Sequence, residues 1–355
     1  GSLAIERLEG AAAVLRLARA GEAVVLGAFQ RAGELGEGAY ARALRRGSGG
    51  GAARVGPGTV WLQLSLARPD ALIACTPDKL LNRYVRPLLR ALTRAAGVPV
   101  SYFGRDWISA ARRPVALVGL GHEATTNRAL FEAVVAVSTP LSVSDRPSFL
   151  GKVPATLDEI AGRALDPQRV VEVVVDAYRT SASAHVDRPS GEAPSIDEGT
   201  CEVAWSATRE EAIGTIGAGL DASGRLRVGG ELMVSRDALA RLEALLAALP
   251  ADASEDDIGR AVDEALGSGG AITFGVRSLA SIRDAIAAVQ NIAWSTFEKY
   301  TMCFDGAGAP KRWTLSIAQP SSLMKRRFGE IFHVARNACV SRALFLIAEL
   351  GVYMS

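Results

Sequence analysis

The densest concentration of residues able to do chemistry is Arg45-Arg46-Gly47-Ser48-Gly49-Gly50-Gly51-Ala52, followed closely by Gly56-Pro57-Gly58. Successive glycines reach positive φ at little steric cost and let backbone N–H groups approach an anion with no Cβ in the way. The two arginines add guanidinium forks that can hold a phosphate or carboxylate through paired hydrogen bonds. Anion binding is thus the chemistry on offer, and a flexible glycine loop between two strands is the plainer alternative. No Gly-Lys-Ser/Thr follows, so the segment is not a P-loop, and the glycine spacing does not suit a dinucleotide-binding turn.

Other reactive side chains are sparse. His122 sits beside Glu123 in GLGHEA, where it either satisfies a turn or touches substrate. His185 is expected in solvent, and His333 in the core of a C-terminal helix. Cys75, Cys201, Cys303 and Cys339 are widely spaced with no CxxC pair, which reads as reduced, partly buried thiols and no metal site.

The glycine segment resembles the Arg-Arg-x-Ser-Gly-Gly-Gly-Ala loop of the lipoate–protein ligase and octanoyltransferase family, related in fold to biotin protein ligases. Gly56-Pro57-Gly58 is similar to the Gly-Pro-Gly continuation in the transferases, and Val24 to Gln30 to the family's Val-x-x-Gly-x-x-Gln segment. Gly104-Arg105-Asp106 resembles the family's Gly-x-Asn/Asp turn. Gly224 to Leu246 looks like the ligase accessory region, with Gly230-Glu231 where Gly-Asp usually stands. The resemblance covers roughly residues 10 to 165 and implies a pocket for an acyl chain and an adenylate phosphate. It would be lined by Arg45, Arg46, Ser48, Gly49, Gly50, Gly51, Asp106 and Arg112, with ATP and Mg as cofactors.

The departures bear on catalysis. The family's lysine falls where this chain reads Arg112-Arg113-Pro114-Val115-Ala116, and no lysine lies between Lys79 and Lys152. Arginine keeps its charge at every working pH, so it binds phosphate but does not exchange protons as lysine does. Val55 stands where transferases carry histidine before Gly-Pro-Gly. The catalytic candidates left are Arg113, as a substitute charge, and Lys152, near the family's Lys-Val-Thr segment or else an ordinary solvated lysine. Some relatives use a cysteine nucleophile, which makes Cys75 and Cys339 candidates, although no histidine pairs with either by sequence.

Elements must position these groups. Ala23 to Leu26 reads as a buried strand and Val60 to Leu66 as an alternating one. Pro77 to Ala96 has helical spacing closed by Gly97, and Pro87 predicts a kink or break. Strands are expected at 98–103, 114–120 and 130–137, and helices at 157–161 and 166–179. After a polar stretch, strands follow at 201–207, 214–220 and 224–233, then helices capped by Ser235 and Ser254 and a third at 279–289. A helical run is expected over 322–352.

With 355 residues, about two domains are expected. The fold expected is α+β: a mixed sheet with flanking helices over 3–180, biotin/lipoate protein ligase-like, and a small α/β accessory domain over 201–290. Residues 181–200 would be a linker and 291–355 a helical extension of unknown role. Lys+Arg 40 against Asp+Glu 38 leaves a net charge of +2, which offers no electrostatic footprint for nucleic acid or membrane. Without an apolar run of spanning length or a signal peptide, a cytoplasmic protein is expected. The expected partners are a small carboxylate or acyl substrate and an acyl-carrier or lipoyl-domain protein. The basic run Lys325-Arg326-Arg327 is either a solvated face or a contact for that anionic carrier. Two functions follow: lipoyl or octanoyl transfer or ligation, through an acyl-adenylate, or an inactive relative that binds a carboxylate or a carrier.

Overall fold

The computed structural model describes residues 8, 11–18, 21–35, 43–143, 149–181, 185–186, 204–250, 253–267, 270–298, 301–306 and 309–314, with side chains up to 289 apart from residues 185–186. Its centre is a seven-stranded sheet in the order β10-β1-β5-β9-β8-β7-β6. The strands are β1 (Ala13–Ala18), β5 (Thr59–Leu66), β6 (Val100–Tyr102), β7 (Trp107–Ala110), β8 (Arg113–Glu123), β9 (Arg128–Ala136) and β10 (His185–Val186). All neighbours pair antiparallel except β1 and β10, which run parallel. The long central strands β5, β8 and β9 are buried on both faces, so their sequences read as near-continuous apolar runs.

One face is covered by α1 (Leu80–Ala96), α2 (Leu157–Ala161) and α3 (Pro167–Ser181), which bury Tyr84, Leu88, Leu92, Val174 and Tyr178 against Leu64, Val118 and Phe131. Pro87 neither ends nor splits α1. It sits on the buried side of an unbroken helix that closes on Gly97 at φ 75°. The other face carries a three-stranded sheet, β3-β2-β4, built from β2 (Ala23–Leu26), β3 (Ala43–Arg45) and β4 (Ala53–Val55). Val25, Ala53 and Val55 of that sheet pack on Trp61, Trp107, Leu117 and Val134 of the large one. The glycine loop connects β3 to β4 and so lies between sheets.

A second core gathers Ile216, Val228, Leu242, Ile258, Val262, Ile282 and Ile286. It belongs to the antiparallel sheet β11 (Ala207–Glu210), β12 (Thr215–Leu220), β13 (Leu226–Gly230) and to α4 (Arg236–Ala248), α5 (Glu255–Leu266) and α6 (Leu279–Glu298). Two short strands, β14 (Met233–Val234) and β15 (Thr273–Phe274), pair antiparallel. Ser254 opens α5 with a reciprocal capping box to Asp257. The mixed sheet, its flanking helices and the smaller α/β unit match the expected fold class.

Several expectations need correction. β7 and β1 were not foreseen as strands. The stretch expected to link two units supplies β10, and the strand expected at 201–207 begins only at Ala207. α6 runs on to Glu298, and a hairpin of β16 (Thr301–Gly306) and β17 (Ala309–Thr314) follows where helix was expected. The helix expected over 322–352, with Lys325-Arg326-Arg327, His333 and Cys339, lies outside the described residues, as does Cys201.

Candidate functional site

The glycine loop is buried throughout, as a pocket wall would be, but the four successive amides of Ser48 to Gly51 are not free. Ser48 N–H donates to Glu132 Oε2 at 2.7 Å and Gly51 N–H to Asp106 Oδ2 at 3.2 Å. Gly49 N–H donates to the Leu120 carbonyl at 3.0 Å and Gly50 N–H to that of Leu232 at 3.3 Å. Arg46, 2% exposed, folds back on its own loop. Its Nη1 and Nη2 donate to the carbonyls of Gly51 and Gly49 at 2.8 Å each, and its Nε to Ser48 Oγ at 3.0 Å. Arg45 Nη1 donates to the carbonyls of Gly27, Ala28 and Gln30. In this arrangement the amides of Ser48 to Gly51 are bonded within the chain, and an anion entering there must displace bonds already made.

Glu132 is the anchor beneath it. It is 1% exposed on β9, between Leu130 and Val134 on the same face. Besides Ser48 N–H it accepts from Trp61 Nε1 at 3.2 Å and Gln63 Nε2 at 2.6 Å. A buried carboxylate is tolerable only when its lone pairs are matched in this way. Burial lowers the basicity of Arg46, and Glu132, Asp106 and Glu231 oppose that loss. Glu231, at the end of β13 in the smaller unit, accepts from Thr215 N–H at 3.0 Å and from Gln30 Nε2, just past β2, at 3.4 Å.

Asp106 is the unusual member. It precedes β7, is 3% exposed, and its Oδ1 is buried with no hydrogen-bond partner. Burial first, and the nearby Glu231 charge second, push its carboxyl up to about 7, against the pull of Gly51 N–H and Arg46. Near neutrality this side chain is thus half carboxylic acid, able to donate as well as accept. The hydroxyl of Tyr102, at the end of β6, is likewise buried and unpartnered. Burial, then the Asp106 charge, raises its pKa, so the phenol stays an O–H donor. Two orphaned oxygens able to carry protons, one at the end of β6 and one in the turn that leads into β7, with the Asp106 charge felt at Tyr102, are groups an oxyanion could use.

The remaining sequence candidates are dispersed. Arg112 is exposed in the β7–β8 turn, where it and Ala111 take positive φ of 65° and 47°. Arg113 donates to the Pro154 carbonyl at 2.7 Å and pairs with Glu159 at 3.0 Å. It starts β8, whereas the glycine loop packs on Gly119 and Leu120 of the same strand. Six residues of strand separate them, about 20 Å by strand rise. Arg113 and Arg112 therefore do not supply a charge at the loop. Lys152 is exposed after the Phe149–Gly151 turn.

His122 is 2% exposed within β8 itself, not between strands. Its Nδ1 lies 2.8 Å from Ser235 Oγ and its Nε2 3.4 Å from Asn127 Oδ1. Ser235 caps no helix with its side chain, contrary to expectation, because its hydroxyl is engaged by His122 and by Ile272 N–H at 2.8 Å. Burial lowers the His122 pKa against the opposing influence of Asn127, Asp237 and Glu123, so the ring is held neutral. Cys75 donates to the Pro69 carbonyl, and burial first, then Asp70, raises its thiol, the reverse of an activated nucleophile.

Glu132 and Tyr102 escaped the sequence reading. Glu132 had a signal, a lone charge inside LFEAVVAV; Tyr102 had none beyond its place at a strand end. Among the described residues no three His, Cys, Asp or Glu side chains gather as a metal site. The Asp106–Glu231 pair stands beside the buried cation Arg46, and the loop amides that a triphosphate would need are taken. The residues present do not fit Mg or ATP in this arrangement.

No protein-family model matches the sequence, and no curated protein does. Among solved structures, the chain is similar to P. falciparum LipL1 in complex with lipoate at 12% identity and a TM-score of 0.49, over 77% of this chain and 86% of that one. It is similar to a lipoate protein ligase from Thermoplasma acidophilum, described with its E2 lipoyl domain, at 17% identity and 0.40, over 53% and 82%. A biotin protein ligase from Aquifex aeolicus in complex with biotin and ATP is similar at 15% identity and 0.30, over 44% and 69%. Lipoate and biotin protein ligases are thus among the solved structures with a similar fold.

Proposed function

We propose that this is a lipoate–protein ligase-like protein that binds a small acyl carboxylate at Asp106 and Tyr102 without activating it. The observation that carries the reading is the pair of buried, unpartnered oxygens, one on a carboxyl that titrates at about 7 and one on a phenol that stays protonated. A protonated Asp106 and the Tyr102 hydroxyl donate two hydrogen bonds to the ligand's carboxylate. Activation would instead require donors for phosphate, and the loop amides, Arg45 and Arg46 are engaged within the chain.

Calorimetric titration of the full chain with octanoate, lipoate and biotin, with and without ATP, tests this. Binding that ATP does not alter, that weakens at least tenfold in Tyr102→Phe, and no exchange of pyrophosphate into ATP is the expected result. Pyrophosphate exchange that disappears in Arg46→Ala would overturn it. That outcome belongs to the second reading, lipoyl or octanoyl transfer to a carrier protein through an acyl-adenylate, favoured by the similarity of Arg45 to Ala52 to the ligase loop. It requires the loop to open, with Gly50 N–H released from Leu232.

A further inference from the structure

Helix α1 presents a feature that carboxylate binding does not use. Arg83, Arg86, Arg90 and Arg94 are all exposed, while Leu80, Leu81, Tyr84, Val85, Leu88 and Leu92 are buried. Steps of three, four and four residues put the four guanidiniums on one stripe, about 17 Å long by helical rise. No Asp or Glu occurs between Leu80 and Ala96. Helices α3, α4, α5 and α6 each mix both signs of charge. Arg94 alone of the four has a carboxylate partner among the described residues, Asp176 of α3 at 2.9 Å. Arg86 donates to Asn82 and Arg90 to Ser181, neutral groups both. Like charges three and four residues apart repel, so the stripe weakens the helix that carries it.

We propose that this stripe is a docking surface for a protein that presents a helix with carboxylates at matching spacing. Guanidinium forks pair bidentately with carboxylates, and rows repeating every three to four residues on two helices bring such pairs into register. Nucleic acid is disfavoured because no aromatic side chain interleaves the arginines on the exposed side of α1 to stack on bases. The inference stands apart from the ligand proposed for Asp106, and its test reads protein contact, not acyl binding.

The test is fluorescence anisotropy of the full chain with three labelled probes at 50 and 200 mM salt: an acidic four-helix acyl carrier protein, a 20-base-pair DNA duplex and phosphatidylserine vesicles. Saturable binding to the carrier protein is expected, weakened at least tenfold at the higher salt. Arg83→Glu/Arg86→Glu/Arg90→Glu should abolish it, and Arg83→Gln/Arg86→Gln/Arg90→Gln should weaken it at least fivefold, with melting temperatures unchanged or raised as the repulsion is relieved. The Gln variant keeps the test valid should the Glu variant misfold. No binding to the carrier, equal or tighter binding to DNA or vesicles, or binding that survives in the Gln variant would each overturn the proposal.

Discussion

A neutral acid in the core leaves a signature in stability. The Asp106 carboxyl titrates at about 7 in the fold and near 3.9 in an unfolded chain. Between those values the native state holds more protons than the unfolded one, so stability falls as pH rises from about 4 to about 7. Asp106→Asn removes that titration. Denaturant melts should show the variant gaining on wild type by roughly 3 kcal/mol between pH 5 and pH 8. An equal difference at both pH values would mean that Asp106 does not titrate in this range. Glu132 behaves oppositely, as a satisfied anchor. Glu132→Ala strands two buried donors, Ser48 N–H and Trp61 Nε1, and the half-buried Gln63 Nε2, and should cost about 3 kcal/mol or more by the same melts. These roles were only partly legible in sequence. The glycine loop announced itself by composition, but which amides it satisfies depends on Leu120, Glu132 and Leu232, far away along the chain. Charge and protonation at Asp106 follow from burial, which spacing does not reveal.

At the scale of elements, close approach explains why the loop is made of glycine. A Cβ on Gly49 would fall 2.1 Å from the Leu232 carbonyl, so Gly49→Ala must push the loop and β14 apart. We expect a loss of about 2–4 kcal/mol and faster amide exchange at Gly50, whose N–H bonds that same carbonyl. Unchanged protection at Gly50 would contradict the coupling. The His122–Ser235 contact joins β8 to the start of α4, alongside Asp237, which accepts from the N–H groups of Ala124 and Thr125 at 2.9 and 2.7 Å. Because the folded pKa of His122 is depressed, its contribution is present above about pH 6.5 and is lost as pH falls below it. His122→Phe should flatten that acid limb of the melting-temperature profile. The elements themselves were largely readable: β2, β5, β8, β9, α1 and the helices around the second core follow apolar periodicity and capping residues. β7 was hidden behind the Gly104-Arg105-Asp106 turn because four residues give too short a pattern to recognise. The hydroxyl of Ser235 had the chemistry of a cap, and a buried histidine from another strand claimed it instead.

Across the whole molecule, two apolar cores meet at a polar seam, and the proposed site lies in that seam. Arg31 stacks 3.9 Å over Trp205, Trp205 Nε1 donates to Glu34 at 2.6 Å, and Arg105 donates to the Ala212 carbonyl. Gly230 N–H donates to the Phe29 carbonyl at 2.8 Å. With so many bonds crossing it, the smaller unit acts as part of the wall around Asp106, and ligand binding should stabilise both cores together. The sequence resemblance anticipated the ligase-like architecture. It could not anticipate that Arg46 and the loop amides would be spent internally, since the motif spells the same letters whether the loop is open or closed.

Under the proposed function, Asp106 must be protonated to receive a carboxylate. Calorimetry of octanoate binding at pH 8, in two buffers of different ionisation enthalpy, reads the protons exchanged. Because Asp106 is mostly ionised there, uptake of about one proton per octanoate bound is expected, absent in Asp106→Asn. Binding with no proton uptake by the wild-type chain would contradict it.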